Sequence, residues 1–201
     1  GSAQRAQDEL ARRLLAGQCV GWVHGPMEFG ERSHSHRVAL ALPRADEARP
    51  RLLAALRHDE PFLPCRLALP EEAAGEFLAS WAGGAWLAHG ARVLVPAHER
   101  LRALAPCALA PDGRVWPQLV TATDAPELHA LLVRIGQQTG APLLWLADLT
   151  LRGAPLVRSE SEAVEAFGRS GLDALVAATR LYARACRRAI THTRPASGSR
   201  G

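Results

Sequence analysis

Three histidines fall close together early in the chain, His24, His34 and His36, with Glu28 and Glu31 in the glycine-containing loop between them. His-x-His on an extended strand sends both imidazoles to one side, which can supply two metal ligands, and His24 or a glutamate would provide a third. A centre of that kind would serve a metal-assisted hydrolase. The plainer reading leaves the histidines in solvent ahead of a strand over residues 37–42.

Asp148 is the second residue whose placement suggests chemistry. It interrupts an otherwise apolar run, Pro142-Leu143-Leu144-Trp145-Leu146-Ala147-Asp148-Leu149. Period-two alternation sets it on the same face as Leu144 and Leu146. A carboxylate in a strand buried on both sides must be paired or protonated. Either it forms an ion pair, with Arg152 or an arginine of a neighbouring helix, or it is a catalytic or metal-binding acid. In an open α/β sheet ligands lie beyond the carboxyl ends of the strands, so Thr121, Thr123 and Asp124 join Asp148 as candidates, with His24, His34 or His36 as base or ligand.

The third group is cationic. Beyond Asp173 there is no acidic residue, while Arg180, Arg184, Arg187, Arg188, Arg194 and Arg200 follow; of a net charge of +4 these six contribute +6, leaving −2 for the first 173 residues. On a helix spanning 172–190, Arg180, Arg184, Arg187 and Arg188 would share one side, opposite Leu175, Thr179, Tyr182, Cys186 and Ile190. Like charges at that spacing oppose one another. The stripe therefore suits an acidic protein partner, or nucleic acid gripped through its phosphates, because aromatic side chains for base stacking are missing from it.

Composition closes other routes. The sequence contains no lysine and no asparagine. A P-loop, a Schiff-base enzyme and a protein kinase each need a lysine, so none can be built here. The bias matches a bacterium of very high GC content, which makes arginine abundance weak evidence for anion binding. GxSxG, HExxH, GxGxxG and EF-hand patterns are missing, as is paired zinc-knuckle spacing, and nothing calls for a cofactor. Cys19, Cys65, Cys107 and Cys186 are widely separated and read as buried free thiols. No apolar run is long enough to cross a bilayer, so the expectation is a cytoplasmic protein without a membrane.

The elements that must position these residues follow from punctuation. Leu42-Pro43, Leu69-Pro70 and Val95-Pro96 each close a strand-like run and open a helical one, with prolines 27 and 26 residues apart. Proline suits a first helical turn and stops a strand. Continuing the interval reaches Thr123 and Thr150. Repeated units and ordinary strand-helix alternation both explain the cadence.

His89-Gly90, Asp112-Gly113 and Arg152-Gly153 are candidate hairpin turns, which favour a mixed sheet over a parallel one. Helices are expected over 4–16, stopped by Gly17, and over 126–138 behind a Thr123-Asp124 cap. The five tryptophans, Trp22, Trp81, Trp86, Trp116 and Trp145, read as packing residues. The sum is an α/β protein: a single mixed sheet built from alternating strand or hairpin and helix units, a long C-terminal helix, one domain over 3–191, and a disordered basic tail over 192–201. With no assembled nucleophile and base, a non-catalytic binding module working through the basic helix is the favoured function at this stage.

Overall fold

A computed structural model describes residues 2–28, 34–44, 46–58, 65–79 and 95–184. Helix α1 (Ser2–Leu15) is followed by β1 (Val20–Val23), β2 (Arg37–Ala41), α2 (Ala48–Ala55), β3 (Arg66–Pro70) and α3 (Ala74–Phe77). Next come β4 (Val95–Pro96), α4 (Glu99–Leu104), β5 (Arg114–Val115), β6 (Pro117–Val120), α5 (Pro126–Thr139) and β7 (Leu144–Asp148). Helix α6 (Glu160–Arg169) then precedes β8 (Ala174–Ala177) and β9 (Arg180–Ala183).

Seven strands form one mixed sheet in the order β6-β3-β7-β2-β1-β8-β9, and β4 pairs with β5 in a separate ribbon. The α/β class and the mixed sheet are as the sequence indicates. Strands β1, β7 and β8 run one way; β2, β3, β6 and β9 run the other. The carboxyl ends of β1, β7 and β8 therefore share an edge of the sheet with the amino ends of β2, β3, β6 and β9.

Both faces are covered, which is why the central strands are apolar throughout instead of alternating. On one face Leu10 and Leu14 of α1 and Leu128, Leu131, Leu132 and Ile135 of α5 pack on Val20, Trp22, Leu40 and Leu146. The other face carries α2, α3, α4 and α6, with Leu52, Phe77, Leu101 and Ala163 against Ala39, Leu67, Trp145 and Leu175. Arg134 of α5 pairs with Asp8 of α1, tying the two helices of the first layer together.

Local signals account for several boundaries. Gly17 follows α1 at φ +77° and Gly140 ends α5 at φ +76°, conformations that glycine adopts without the Cβ penalty. Pro126 opens α5, and Ser159 caps α6 by accepting from the Glu162 N–H. The cadence of prolines marks strand exits, but β4 lies outside the main sheet, so equal spacing does not mean equivalent places in one architecture.

Two turn expectations change. Gly113 makes its tight turn, yet residues 106–108 before it form a 3-10 segment and β5 pairs with β4 instead. Gly153 also turns, but its flanks do not pair as a hairpin. The His89-Gly90 hairpin, Trp81, Trp86, Cys186 and the tail over 192–201 lie outside the described residues.

The long C-terminal helix is the main correction to the fold. Residues 174–177 are β8, parallel to β1, and residues 180–183 are β9, antiparallel to β8 at the sheet edge. Ala-Leu-Val-Ala is helix-compatible by propensity, but a slot beside β1 buries all four residues, and that burial decides. The turn between the strands places Ala178 at φ +51°, without the Gly or Asn that announces such a turn. Arg187 and Arg188 lie outside the described residues.

Candidate functional site

The polar groups gather at the sheet edge where β1 and β7 end and β2, β3 and β6 begin. Between β1 and β2 the Glu28 carboxylate folds back onto the backbone. One oxygen accepts from the N–H groups of His34 (2.7 Å), Ser35 (2.8 Å) and His36 (3.2 Å), and the other from Arg37 (3.0 Å). Four backbone donors ahead of a strand have no ladder partner of their own, and a buried carboxylate satisfies them together.

Arg37, the first residue of β2, locks the other side of this loop. Its guanidinium donates to the carbonyls of His24 (3.1 Å) and Gly25 (3.0 Å). Burial lowers the Arg37 pKa, and the nearby Glu28 charge works against that shift. Gly25 sits at φ +70°, and a Cβ there would lie 2.7 Å from His36 Nδ1. Glycine is needed on both counts.

These contacts define what the three histidines do. His24 stacks on Trp22 at 5.6 Å between ring centroids, and its Nδ1 is 3.5 Å from a Glu127 oxygen at the start of α5. His34 and His36 lie in the bend ahead of β2, part-buried instead of in solvent, with their backbone N–H groups bound to Glu28. Among the described residues no three His, Cys, Asp or Glu side chains converge as metal ligands. Glu31 lies outside the described residues.

Asp148 ends β7 at the same edge. Its carboxylate receives a hydrogen bond from Arg66 of β3 at 2.6 Å, and Arg66 also donates to the Gln118 side-chain oxygen on β6 at 3.1 Å. Gln118 in turn donates to the Leu119 carbonyl at 3.2 Å. Arg66 is 2% exposed and Asp148 13%. The carboxylate thus pairs with an arginine of the adjacent strand, Arg66, which the sequence reading did not name. Register explains the choice: Arg66 stands opposite Leu146, two residues from Asp148 and on the same face.

Beside this group, His58 Nε2 lies 3.1 Å from the Thr150 carbonyl and 3.3 Å from its hydroxyl. Thr121 and Asp124 are elsewhere. They follow the carboxyl end of β6, which runs opposite to β7, and bond to each other (2.8 Å) ahead of α5. Thr123 lies in the same turn. By strand direction Asp148 adjoins the histidine loop while Thr121, Thr123 and Asp124 follow the other end of the sheet, with His24 reaching Glu127 at the start of the helix that succeeds them.

Sequence reasoning passed over Arg66, Gln118, Arg37 and His58. Arg66 and Gln118 carried the same signal that singled out Asp148, a polar residue within an apolar strand. His58, in a loop, carried none.

The C-terminal arginines are arranged differently from the expected stripe. On strand β9, Arg180 and Tyr182 face the side of α6, and Arg184, just past the strand, does the same. Arg184 turns inward, donating to the carbonyls of Leu172 (2.9 Å), Phe167 (2.5 Å) and Ser170 (3.0 Å) and lying 4.8 Å over the Phe167 ring. The Phe167 and Ser170 carbonyls close α6, where a cation is favourable. Arg180 is 73% exposed and 3.7 Å from Glu160.

A family model described as carbamoyltransferase C-terminus matches residues 11–184, a span that holds the whole described sheet. The chain belongs to this carbamoyltransferase C-terminus family. It is 29% identical over 182 residues to nodulation protein NolO of Bradyrhizobium diazoefficiens, covering 86% of this chain and 32% of that protein. It is 27% identical over 178 residues to the 3'-hydroxymethylcephem-O-carbamoyltransferase of Amycolatopsis lactamdurans, covering 89% of this chain and 33% of the relative. An uncharacterized protein of Methanocaldococcus jannaschii, MJ1058, is 28% identical over 169 residues, covering 83% and 27%. The chain thus spans about a third or less of the length of these relatives.

Family membership overturns the reading of a non-catalytic, protein-binding module, and its nucleic-acid and metal-hydrolase alternatives give way with it. The physical cause of the error is the C-terminal segment. The reading needed a projecting basic helix, and residues 174–183 are paired strands. Among the described residues no helix is long and apolar enough to cross a membrane.

Proposed function

We propose that this chain forms the C-terminal part of an enzyme that transfers a carbamoyl group, and that the polar sheet edge is its working site. The observation that carries the proposal is the family match across residues 11–184, supported by a relative whose name is that of an O-carbamoyltransferase.

A carbamoyl group is small, planar and polar. Its carbonyl oxygen needs fixed donors, its NH2 needs acceptors, and an activated donor leaves with negative charge. Preorganised groups of low exposure serve all three needs, because they do not reorient during reaction. Arg66 and Gln118 are held in place by Asp148 and the backbone, and Asp148 retains the larger opening to the surface. Asp148 is proposed as an acceptor and positioning group that fixes Arg66. His58 with Thr150 stands at the same edge as a hydrogen-bonding pair able to move a proton. The Glu28 clamp keeps the adjoining loop in one shape.

The test is retention and transfer of label. Equilibrium dialysis with [14C]carbamoyl phosphate measures whether the chain holds a carbamoyl donor, and the natural protein incubated with primary-alcohol acceptors reports carbamoyl ester formation. The expected result is saturable retention that Asp148→Asn weakens and label recovered on the acceptor. Neither retention nor labelled product would overturn the proposal.

A further inference from the structure

At the end of the sheet away from Asp148, where β1 begins and β2 ends, a cleft of about 100 Å³ opens between α1 and α2. Its floor is apolar: Cys19 is 4% exposed, Ala41 2% and Leu42 5%, with Leu15 and Ala48 at the sides. Burial pushes the Cys19 thiol up to about 11, against the pull of the nearby Arg51 charge, so the floor is uncharged at neutral pH. Space of this size takes a group of roughly three or four carbons, given that a cavity of about 150 Å³ holds benzene.

The rim is charged. Arg44, Glu47 and Arg51 line the cleft and are exposed. Glu47 caps the start of α2 and Arg51 follows one turn later, so the two share a side of that helix. Arg66, Arg114, Arg134 and Arg158 each meet a carboxylate. Among the described residues Arg44 and Arg51 make no ion pair and no side-chain hydrogen bond, and the same holds for Glu47. The cleft therefore presents two cations and one anion that the fold itself leaves unmatched.

That set of charges above a small apolar floor is selective. A simple carboxylate would meet Glu47 as a like charge, and a simple amine would meet two guanidinium groups. We propose that the cleft binds an aliphatic α-amino acid as its zwitterion, the carboxylate between Arg44 and Arg51, the ammonium at Glu47, and a branched side chain on Cys19, Ala41 and Leu42. Each charged group of the ligand then makes a charge-assisted contact. The site is separate from the polar edge assigned to carbamoyl transfer and stands whether or not that assignment does.

L-Valine is a suitable probe, with 3-methylbutanoate lacking the ammonium and 2-methylpropylamine lacking the carboxylate. Backbone amide signals of the 15N-labelled chain are followed during titration. The expected result is saturable movement of the Gly17, Cys19 and Ala48 signals with valine, still signals for Ser35 to Arg37 at the polar edge, and weaker binding of both analogues. Replacing Arg44 and Arg51 together by Gln should weaken valine binding roughly tenfold or more, each lost exposed contact contributing a few-fold. Glu47→Gln should remove most of the preference for valine over 3-methylbutanoate. Thermal melts check that the variants fold, and the comparison of analogues needs no variant. Unmoved signals at the cleft, an analogue that binds as tightly as valine, or undiminished affinity in the folded double variant would overturn the proposal.

Discussion

Two sets of arginines, one at the polar end of the sheet and one on its last strand, show how position decides what the same side chain does. Arg66 and Arg37 open strands inside the sheet, where flanking chains and helices exclude water. Each donates to more than one fixed acceptor. Arg180 opens the edge strand and Arg184 directly follows it; Arg184 folds back onto helix carbonyls and Arg180 reaches into solvent. A guanidinium in the interior must be matched by its surroundings, whereas one at the rim has that option without the obligation.

The sharpest way to break the comparison is Arg66→Met. It takes the Arg66 guanidinium away from the mostly buried Asp148 carboxylate, and stability should fall by about 3 kcal/mol, read from urea midpoints. Pairing it with Asp148→Leu should restore most of that loss. A cost below about 1 kcal/mol for the single change would mean that the interior and rim arginines are equivalent.

Glu28→Ala tests the clamp at the same end. Four backbone donors would lose their carboxylate, and with water reaching some of them the expected loss is about 3 kcal/mol. Hydrogen exchange of the His34 to Arg37 amides should quicken more than exchange in β8. Unchanged protection there would remove the clamp from the account.

Thiols adjoin both regions and sharpen the contrast by pH. Cys65 precedes Arg66, while the backbone N–H of Cys19 donates to Asp173 at 2.8 Å beside the final hairpin. Burial pushes both thiols up to about 11 from an ordinary 9.0. The folded state therefore favours the protonated thiols. Their contribution is fully present below pH 9 and is lost as pH rises through 11, because the unfolded chain ionises first. Each thiol should account for roughly 2 kcal/mol across that window. Urea midpoints measured at pH 8 and 11 check this, with Cys19→Ala and Cys65→Ala each flattening the decline; an unaltered slope in both variants would count against it.

The smallest effects are expected at the rim. Arg184→Gln should cost about 1 kcal/mol through lost helix-end contacts. Arg180→Gln should change stability by less than about 0.5 kcal/mol, since an exposed pair at that separation is weak. Thermal melts order the two, and a larger loss at Arg180 would invert the picture.

The parts of the fold legible in the sequence are those whose cause is local. Gly17 and Gly140 stop helices, Pro126 starts one, and prolines after Leu42, Leu69 and Val95 close strand-like runs. The candidate site was legible only in part. Asp148 stood out because a carboxylate in an apolar strand demands a partner, and Arg66 and Gln118 were open to the same argument. His58 and the Glu28 clamp depend on chain reversals that no pattern marks.

By itself the sequence determined an α/β chain with apolar central strands, a carboxylate in one of them, and no lysine for chemistry that requires it. Which arginine meets Asp148, and whether residues 174–183 coil or extend, was decided by the tertiary structure. Helix propensity in that segment is worth only a few tenths of a kcal/mol per residue, whereas a vacant place beside β1 offers backbone pairing and full burial of four side chains. The larger, non-local term wins.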